Sequence, residues 1–236
     1  MARGRLPTLL LPGLDGSGAL FGPLLAAGPR RIEPRVLALP ADAPRGYDEY
    51  LEHLLAALPR RGRFAVVAES FSGPLAVRLA AARPRGLAAV VLAATFLHRP
   101  LQPWLAPLGP LVGPSLFGLP VLPATIRLLL AGADAPDAVV EAIRRATAAV
   151  PAPVLARRAR EALAVDVREA LAGTEVPLLY LGPTRDRLVR TDVVEDVLRA
   201  RPDAATALLD APHTVLQVRP QASLGCIEAF LASVTA

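Results

Sequence analysis

The chain is predicted to fold as an α/β domain, a doubly wound, mostly parallel sheet of six strands interrupted by a long middle segment. Three observations carry this. Short apolar runs alternate with helical patterns along the chain. The run Phe64–Ala68 passes through Glu69-Ser70-Phe71-Ser72-Gly73 straight into a helical pattern. A length of 236 residues suffices for one such domain with a sizeable core.

The elements follow in order. An apolar strand near Thr8–Leu11 precedes a glycine-rich turn, and a helix near Ala19–Ala27 follows it. A strand is expected near Val36–Leu39, then an amphipathic helix near Tyr47–Leu58 with His53 on its surface. The strand Phe64–Ala68 leads to a helix near Phe71–Ala82, and Ala88–Ala94 is the next strand. After the middle segment, Leu178–Leu181 lies in a partly β-branched apolar run and reads as a buried strand. A helix near Val193–Arg199, a strand near Thr206–Leu209 and a helix near Gln221–Val234 complete the pattern.

Chemistry is concentrated at strand ends. Ser70 sits where a buried strand turns sharply into a helix, and small residues, Ala68 and Ser72, stand two places before and after it. Such a turn exposes a serine hydroxyl as a nucleophile; the alternative is that Ser70 and Ser72 merely cap the helix. Asp186 lies in the loop Pro183–Val189 just past a strand, and His213 in the loop closing the last strand. Serine, acid and histidine thus come in one chain order, each after a different strand. Open parallel sheets bind ligands at that carboxyl edge.

These segments resemble the α/β-hydrolase superfamily, in a compact serine esterase or thioesterase-like form. Leu9-Leu10-Leu11-Pro12-Gly13-Leu14-Asp15-Gly16-Ser17-Gly18 is similar to the oxyanion segment, with Pro12 in place of a histidine. Val176–Val189 resembles the acid strand and loop, and Ala211–Pro220 the histidine loop. The elbow departs from the family's glycines at Ala68 and Ser72. The resemblance implies a triad of Ser70, His213 and Asp186, with oxyanion donors from the backbone N–H of Leu14 and Phe71. It implies a core of residues 1–94 and 175–236, and a helical cap over residues 95–174.

Rival residues are weaker. His98 follows a strand but precedes the acid loop, and Asp192, Glu195 and Asp196 belong to a helix. Asp15 is either a turn residue tying down its loop or a residue of the site. Glu69 is expected to pair with a nearby arginine. From Pro100 to Ile126 there is no charged residue, but seven prolines rule out a straight membrane-spanning helix. An apolar lid is expected instead, with Trp104, Leu108, Leu111, Phe117 and Leu122 facing the core or the pocket. Phe96, Trp104, Phe117 and Asp15 are the candidate pocket residues. Ala138–Val150 and Val154–Leu171 read as two helices with Arg and Glu on their outer faces.

The net charge is +5, yet all 26 basic residues are scattered arginines, so no nucleic-acid partner is expected. The single cysteine, Cys226, has no disulfide partner, and no metal-ligand cluster or cofactor fingerprint is present. Pro7, Pro12 and Asp15 break any signal-peptide core, which makes a cytoplasmic enzyme the default expectation. Together these readings point to a hydrolase of carboxylic esters or thioesters with a hydrophobic portion, its lid a contact for lipid surfaces. The alternatives are acyl transfer to an alcohol by the same triad, and a non-catalytic binding protein.

Overall fold

The structure, a computed structural model, describes residues 5–234, the side chain of residue 108 excepted. Its strands are β1 (Leu6–Leu11), β2 (Ile32–Val36), β3 (Phe64–Glu69), β4 (Leu87–Ala93), β5 (Leu178–Pro183) and β6 (Ala205–Leu209). They form one six-stranded sheet, parallel throughout, in the order β2-β1-β3-β4-β5-β6. Helices α1 (Gly22–Ala26), α2 (Tyr47–Ala57) and α3 (Ser72–Ala81) connect the first four strands. Between β4 and β5 lie α4 (Pro114–Phe117), α5 (Pro123–Ile126), α6 (Asp137–Ala148), α7 (Ala152–Ala164) and α8 (Arg168–Ala172). Then α9 (Val193–Ala200), α10 (Val215–Val218) and α11 (Pro220–Val234) follow.

Side chains of a strand alternate between the two faces of a sheet, and both faces here are covered. Val66 and Ala68 of β3 pack into the layer with Tyr50 and Leu54 of α2, Leu75 of α3 and Val197 of α9. Ala65 and Val67 face the opposite layer, with Leu24 of α1 and Leu224, Ile227 and Leu231 of α11. All six β3 residues are buried, which is why that strand reads as a continuous apolar run rather than an alternating one. Because β1 has β2 on one side and β3 on the other, the loops leaving β1 and β3 diverge. The reversal opens a crevice at their carboxyl ends.

Three expectations need correction. The second strand is Ile32–Val36, not Val36–Leu39, because its register is set by pairing from Leu6↔Ile32 to Leu10↔Val36. Pro34 is tolerated there because β2 is an edge strand. The run Val154–Leu171 is two helices: Val165 turns extended after α7, Val167 N–H donates to Leu97 C=O (2.8 Å), and the Asp166 carboxylate accepts from Arg168 N–H (3.1 Å). The lid side chains do not all turn inward. Trp104 is 57% exposed and Leu111 66%, because the turns they lie in, up to the 3-10 turn Ala106–Leu111, are too short to present one face to the core. Leu108 lies outside the described side chains. Among the described residues no helix is long and apolar enough to cross a membrane.

Helix α3 packs tightly on the segment after β4. A Cβ built on Gly73 would lie 1.9 Å from Thr95 Oγ1, and Thr95 is itself fully buried and donates to the Ser70 carbonyl (2.5 Å). Gly73→Ala is therefore expected to cost about 1–3 kcal/mol and to lower the melting temperature by several degrees. Gly225, mid-helix in α11 with nothing near a built Cβ, is the control: Gly225→Ala should stabilise by about 0.5–1 kcal/mol. Equal melting temperatures for the two variants would refute this account of Gly73.

Candidate active site

The turn from β3 into α3 places Ser70 at φ 48°, a left-handed conformation rare for a residue with a side chain. The strain is held from several sides. Ser70 N–H donates to Ala93 C=O (3.0 Å) and Gly73 N–H to Ser70 C=O (3.0 Å), beside the Thr95 bond already described. Ala68 fits its close place between Leu11 and Leu92 in the sheet. Ser72, at the other position where the family carries glycine, is fully buried, and its hydroxyl donates to the Pro12 carbonyl (2.5 Å). The departure thus becomes a tether between the elbow and the loop after β1.

The three candidates of the triad meet. The Ser70 hydroxyl lies 3.0 Å from His213 Nε2, and His213 Nδ1 lies 2.7 Å from Asp186 Oδ2. With the proton on Nδ1 donating to the carboxylate, Nε2 carries the lone pair that accepts from Ser70. Asp186 is held in turn: its Oδ1 accepts from the N–H of Leu188 (2.9 Å) and Val189 (2.8 Å). Gln102, which the sequence reading overlooked, donates to the carbonyls of Asp186 (2.8 Å) and Val189 (2.9 Å) and so braces the acid loop from the middle segment. Ser70 is partly exposed, whereas His213 and Asp186 are buried. Burial lowers the His213 pKa, but the charge and hydrogen bond of Asp186, with Glu69 adding, outweigh it and raise it above the ordinary value.

The loop after β1 runs alongside the serine. A Cβ on Gly13 would sit 3.8 Å from Ser70 Cβ, so the absence of a side chain there leaves room for a substrate. Among the described residues no backbone hydrogen bond outside the regular elements uses the N–H of Leu14 or of Phe71. Asp15 has the turn role: its Oδ2 accepts from Ser17 N–H (2.9 Å) and Ser17 hydroxyl (2.5 Å). Arg158 of α7, expected on an outer helix face, is instead wholly buried. It donates to the carbonyls of Leu14 (2.9 Å), Asp15 (2.8 Å), Leu39 (3.3 Å) and Pro40 (2.9 Å) and to the Tyr50 hydroxyl (2.8 Å). Helical periodicity could not separate it from Arg157 and Arg160, because the surface it meets is built by loops distant in sequence.

The other candidates are dispersed. Phe96 is taken up by the main core, and Trp104 points outward. Phe117 is half-buried in a cluster with Val150, Val154 and Leu14. Two grooves border the middle segment, one of about 740 Å³ beside Asp186 and Pro212, walled by Leu128, Leu129 and Arg127. The other, of about 420 Å³, is lined by Phe117, Val121, Leu122 and Val150. His98 binds Asp196 of α9 (2.9 Å), away from the triad, and Asp192 pairs with Arg190.

Glu69 does not pair with an arginine. Buried next to Ser70 in sequence, it accepts from Gln217 Nε2 (2.9 Å), which also donates to Leu20 C=O (3.2 Å). Gln217 Oε1 has no partner among the described residues. Burial pushes the Glu69 pKa up to about 7, against the pull of Gln217 and His213 and with Asp15 adding to the rise. An acid whose folded pKa lies above its unfolded value destabilises the fold as it ionises, so stability falls between about pH 4.5 and pH 7. Glu69→Gln keeps an acceptor for Gln217 and removes the charge. It should match the wild type near pH 4 and exceed it above pH 7 by about 3 kcal/mol; a difference independent of pH in chemical denaturation would contradict this.

No protein-family model matches the chain. Over 97% of its length it is 31% identical to the polyketide synthase ThaQ of Burkholderia thailandensis, of which it spans only 12%. In architecture it is similar to the enol-lactonase from Burkholderia xenovorans LB400, with a TM-score of 0.81 and 19% identity over 97% of this chain and 92% of that one. It is equally similar to a thermophilic esterase from Thermogutta terrifontis, with a TM-score of 0.81 and 19% identity over 98% and 91% of the two chains. The parallel sheet with its flanking helices is that of these enzymes: the chain has the α/β-hydrolase fold.

Proposed function

We propose that the protein is a serine hydrolase that cleaves carboxylic esters or thioesters with a hydrophobic portion. The observation that carries this is the hydrogen-bonded line Ser70–His213–Asp186 at the crevice between β1 and β3. Solved structures of the same fold include an enol-lactonase and an esterase, which supports the class of reaction.

In this mechanism Ser70 Oγ attacks the substrate carbonyl carbon while its proton passes to His213 Nε2. Asp186 holds the imidazole in the required tautomer and stabilises the imidazolium. The N–H groups of Leu14 and Phe71 receive the negative oxygen of the tetrahedral intermediate. The intermediate collapses by breaking the bond to the alcohol or thiol, which takes the proton back from His213, and leaves an acyl-Ser70 ester. Water then attacks this ester with His213 again as base, and the acid departs. The apolar wall of Leu128 and Leu129, in the groove that reaches Asp186, is suited to hydrophobic substrate groups, with a volume in the range of small-molecule sites.

The direct test is labelling with a fluorophosphonate probe together with hydrolysis of p-nitrophenyl esters and acyl thioesters of rising chain length. Ser70→Ala and His213→Ala should abolish labelling and lower turnover by roughly 10⁴-fold or more while remaining folded. Folded wild-type protein that neither labels nor hydrolyses any member of the series would remove the reading. The pH profile adds a second check. His213 must be neutral to act as a base, so kcat/KM should rise with pH through a midpoint above 6.5. Asp186→Asn removes the charge that raises the His213 pKa, so the midpoint should move to lower pH as turnover drops by roughly 10⁴-fold. An unmoved midpoint would show that another group sets the profile.

A further inference from the structure

Arg158 is a fully buried cation with no carboxylate partner among the described residues. Buried charges are ordinarily paired. Here compensation comes from dipoles and from the Tyr50 ring, whose centroid lies 5.2 Å from the guanidinium carbon. A guanidinium has five N–H donors, and the structure supplies five acceptors: four carbonyls and the Tyr50 hydroxyl. Two of the carbonyls, Leu14 and Asp15, belong to the loop beside Ser70; two, Leu39 and Pro40, belong to the loop after β2. The arginine itself comes from α7, in the segment between β4 and β5.

That loop is held only in part by its own bonds, Gly16 N–H to Gly13 C=O (3.0 Å) and Ser17 to the Asp15 carboxylate. It reads Gly13-Leu14-Asp15-Gly16-Ser17-Gly18, with Gly16 at φ 71° and Gly18 at φ 77°, and glycine-rich backbone has the most conformational freedom to lose. The Leu14 N–H shares its peptide with the Gly13 carbonyl, and a flip of that peptide would turn this carbonyl towards Ser70, where a negative oxygen must form. The cation holds the next two peptides by the Leu14 and Asp15 carbonyls, and so anchors the turn that Gly16 N–H closes on Gly13 C=O. Gly16 records how close the contact is, since a Cβ there would lie 2.4 Å from Arg158 Nη1. Tyr50 extends the network to the other donor, its ring meeting that of Phe71 edge-on at 6.0 Å.

We propose that Arg158 is a positioning residue for oxyanion stabilisation, holding the loop after β1 so that the Leu14 N–H stays beside Ser70. The proposal rests on the serine-hydrolase reading above. It makes α7 a fixed part of the catalytic apparatus rather than a lid that swings away.

The test uses the whole chain with a short p-nitrophenyl ester, comparing Arg158→Met, Arg158→Lys and Tyr50→Phe with wild type, each normalised to active sites by burst titration. An interaction made only in the transition state lowers kcat and leaves KM alone. Arg158→Met is expected to lose roughly 10–10³-fold in kcat with KM within about threefold. Added guanidinium should restore part of the loss, Arg158→Lys should fall between, and affinity for a trifluoromethyl ketone should drop in step with kcat. A purely structural role would lower the melting temperature and the titratable fraction without changing kcat per site. Unchanged kcat per site in folded Arg158→Met, or a loss confined to KM, overturns the proposal. If Arg158→Met does not fold, Tyr50→Phe decides, with a loss of about 3–10-fold in kcat at constant KM expected and an unchanged kcat overturning it. Wild-type protein without turnover or labelling defeats the hydrolase reading, and this one with it; an active wild type beside an equally active Arg158→Met defeats this one alone.

Discussion

The left-handed backbone of Ser70 is the constraint around which the molecule is arranged. A residue with a side chain adopts φ 48° only where its surroundings over-determine it, at a cost of roughly 1–3 kcal/mol. The surroundings here are the sheet ladder at Ala93, the hydroxyl of Thr95 on the Ser70 carbonyl, and the close seat of Gly73 against Thr95. The elbow follows a strand buried on both faces, so the core on either side bears the strain. Once the serine is lifted there, the crevice between the diverging loops of β1 and β3 lies directly in front of it.

Around that centre, buried and half-buried polar groups are bonded to one another across loops. Ser72 reaches Pro12, Gln102 reaches the acid loop, Glu69 reaches Gln217, and Arg158 reaches two loops at once. Each such group would cost several kcal/mol if buried without a partner. Each satisfied one fixes the relative position of two segments that share no secondary structure. The middle segment therefore does more than cover the site. Thr214 N–H donates to Leu130 C=O (3.1 Å) beside His213, and Ala162, Val165, Val167 and Leu171 join the main core.

Much of this was legible in the chain. The period and composition of the apolar runs announced the alternating strands and helices, and the fold follows from them. The positions of Ser70, Asp186 and His213 after three different strands announced that they would share one edge. The errors have physical causes. Leu37 and Leu39 looked like strand because they are buried, but the ladder to β1 ends at Val36. Val154–Leu171 kept a helical pattern through Asp166, where the pull of Leu97 and the turn at Arg168 broke it. Trp104 and Leu111 looked like core or pocket by type, and short proline-rich turns left them in the open.

What the sequence by itself determined is the parallel α/β architecture, the elbow at Ser70 and the loops carrying Asp186 and His213. These depend on local periodicity, on small residues at a sharp turn and on position after a strand. What only the tertiary structure decided is which polar side chains are buried and what they hold. Arg158, Gln102, Ser72 and Glu69 carry no local mark, because their partners are backbone carbonyls, or a single amide, from residues far along the chain. A hydrogen bond to a carbonyl leaves no trace in the identity of the residue that offers it, so the tethers of the site become visible only when the loops have been brought together.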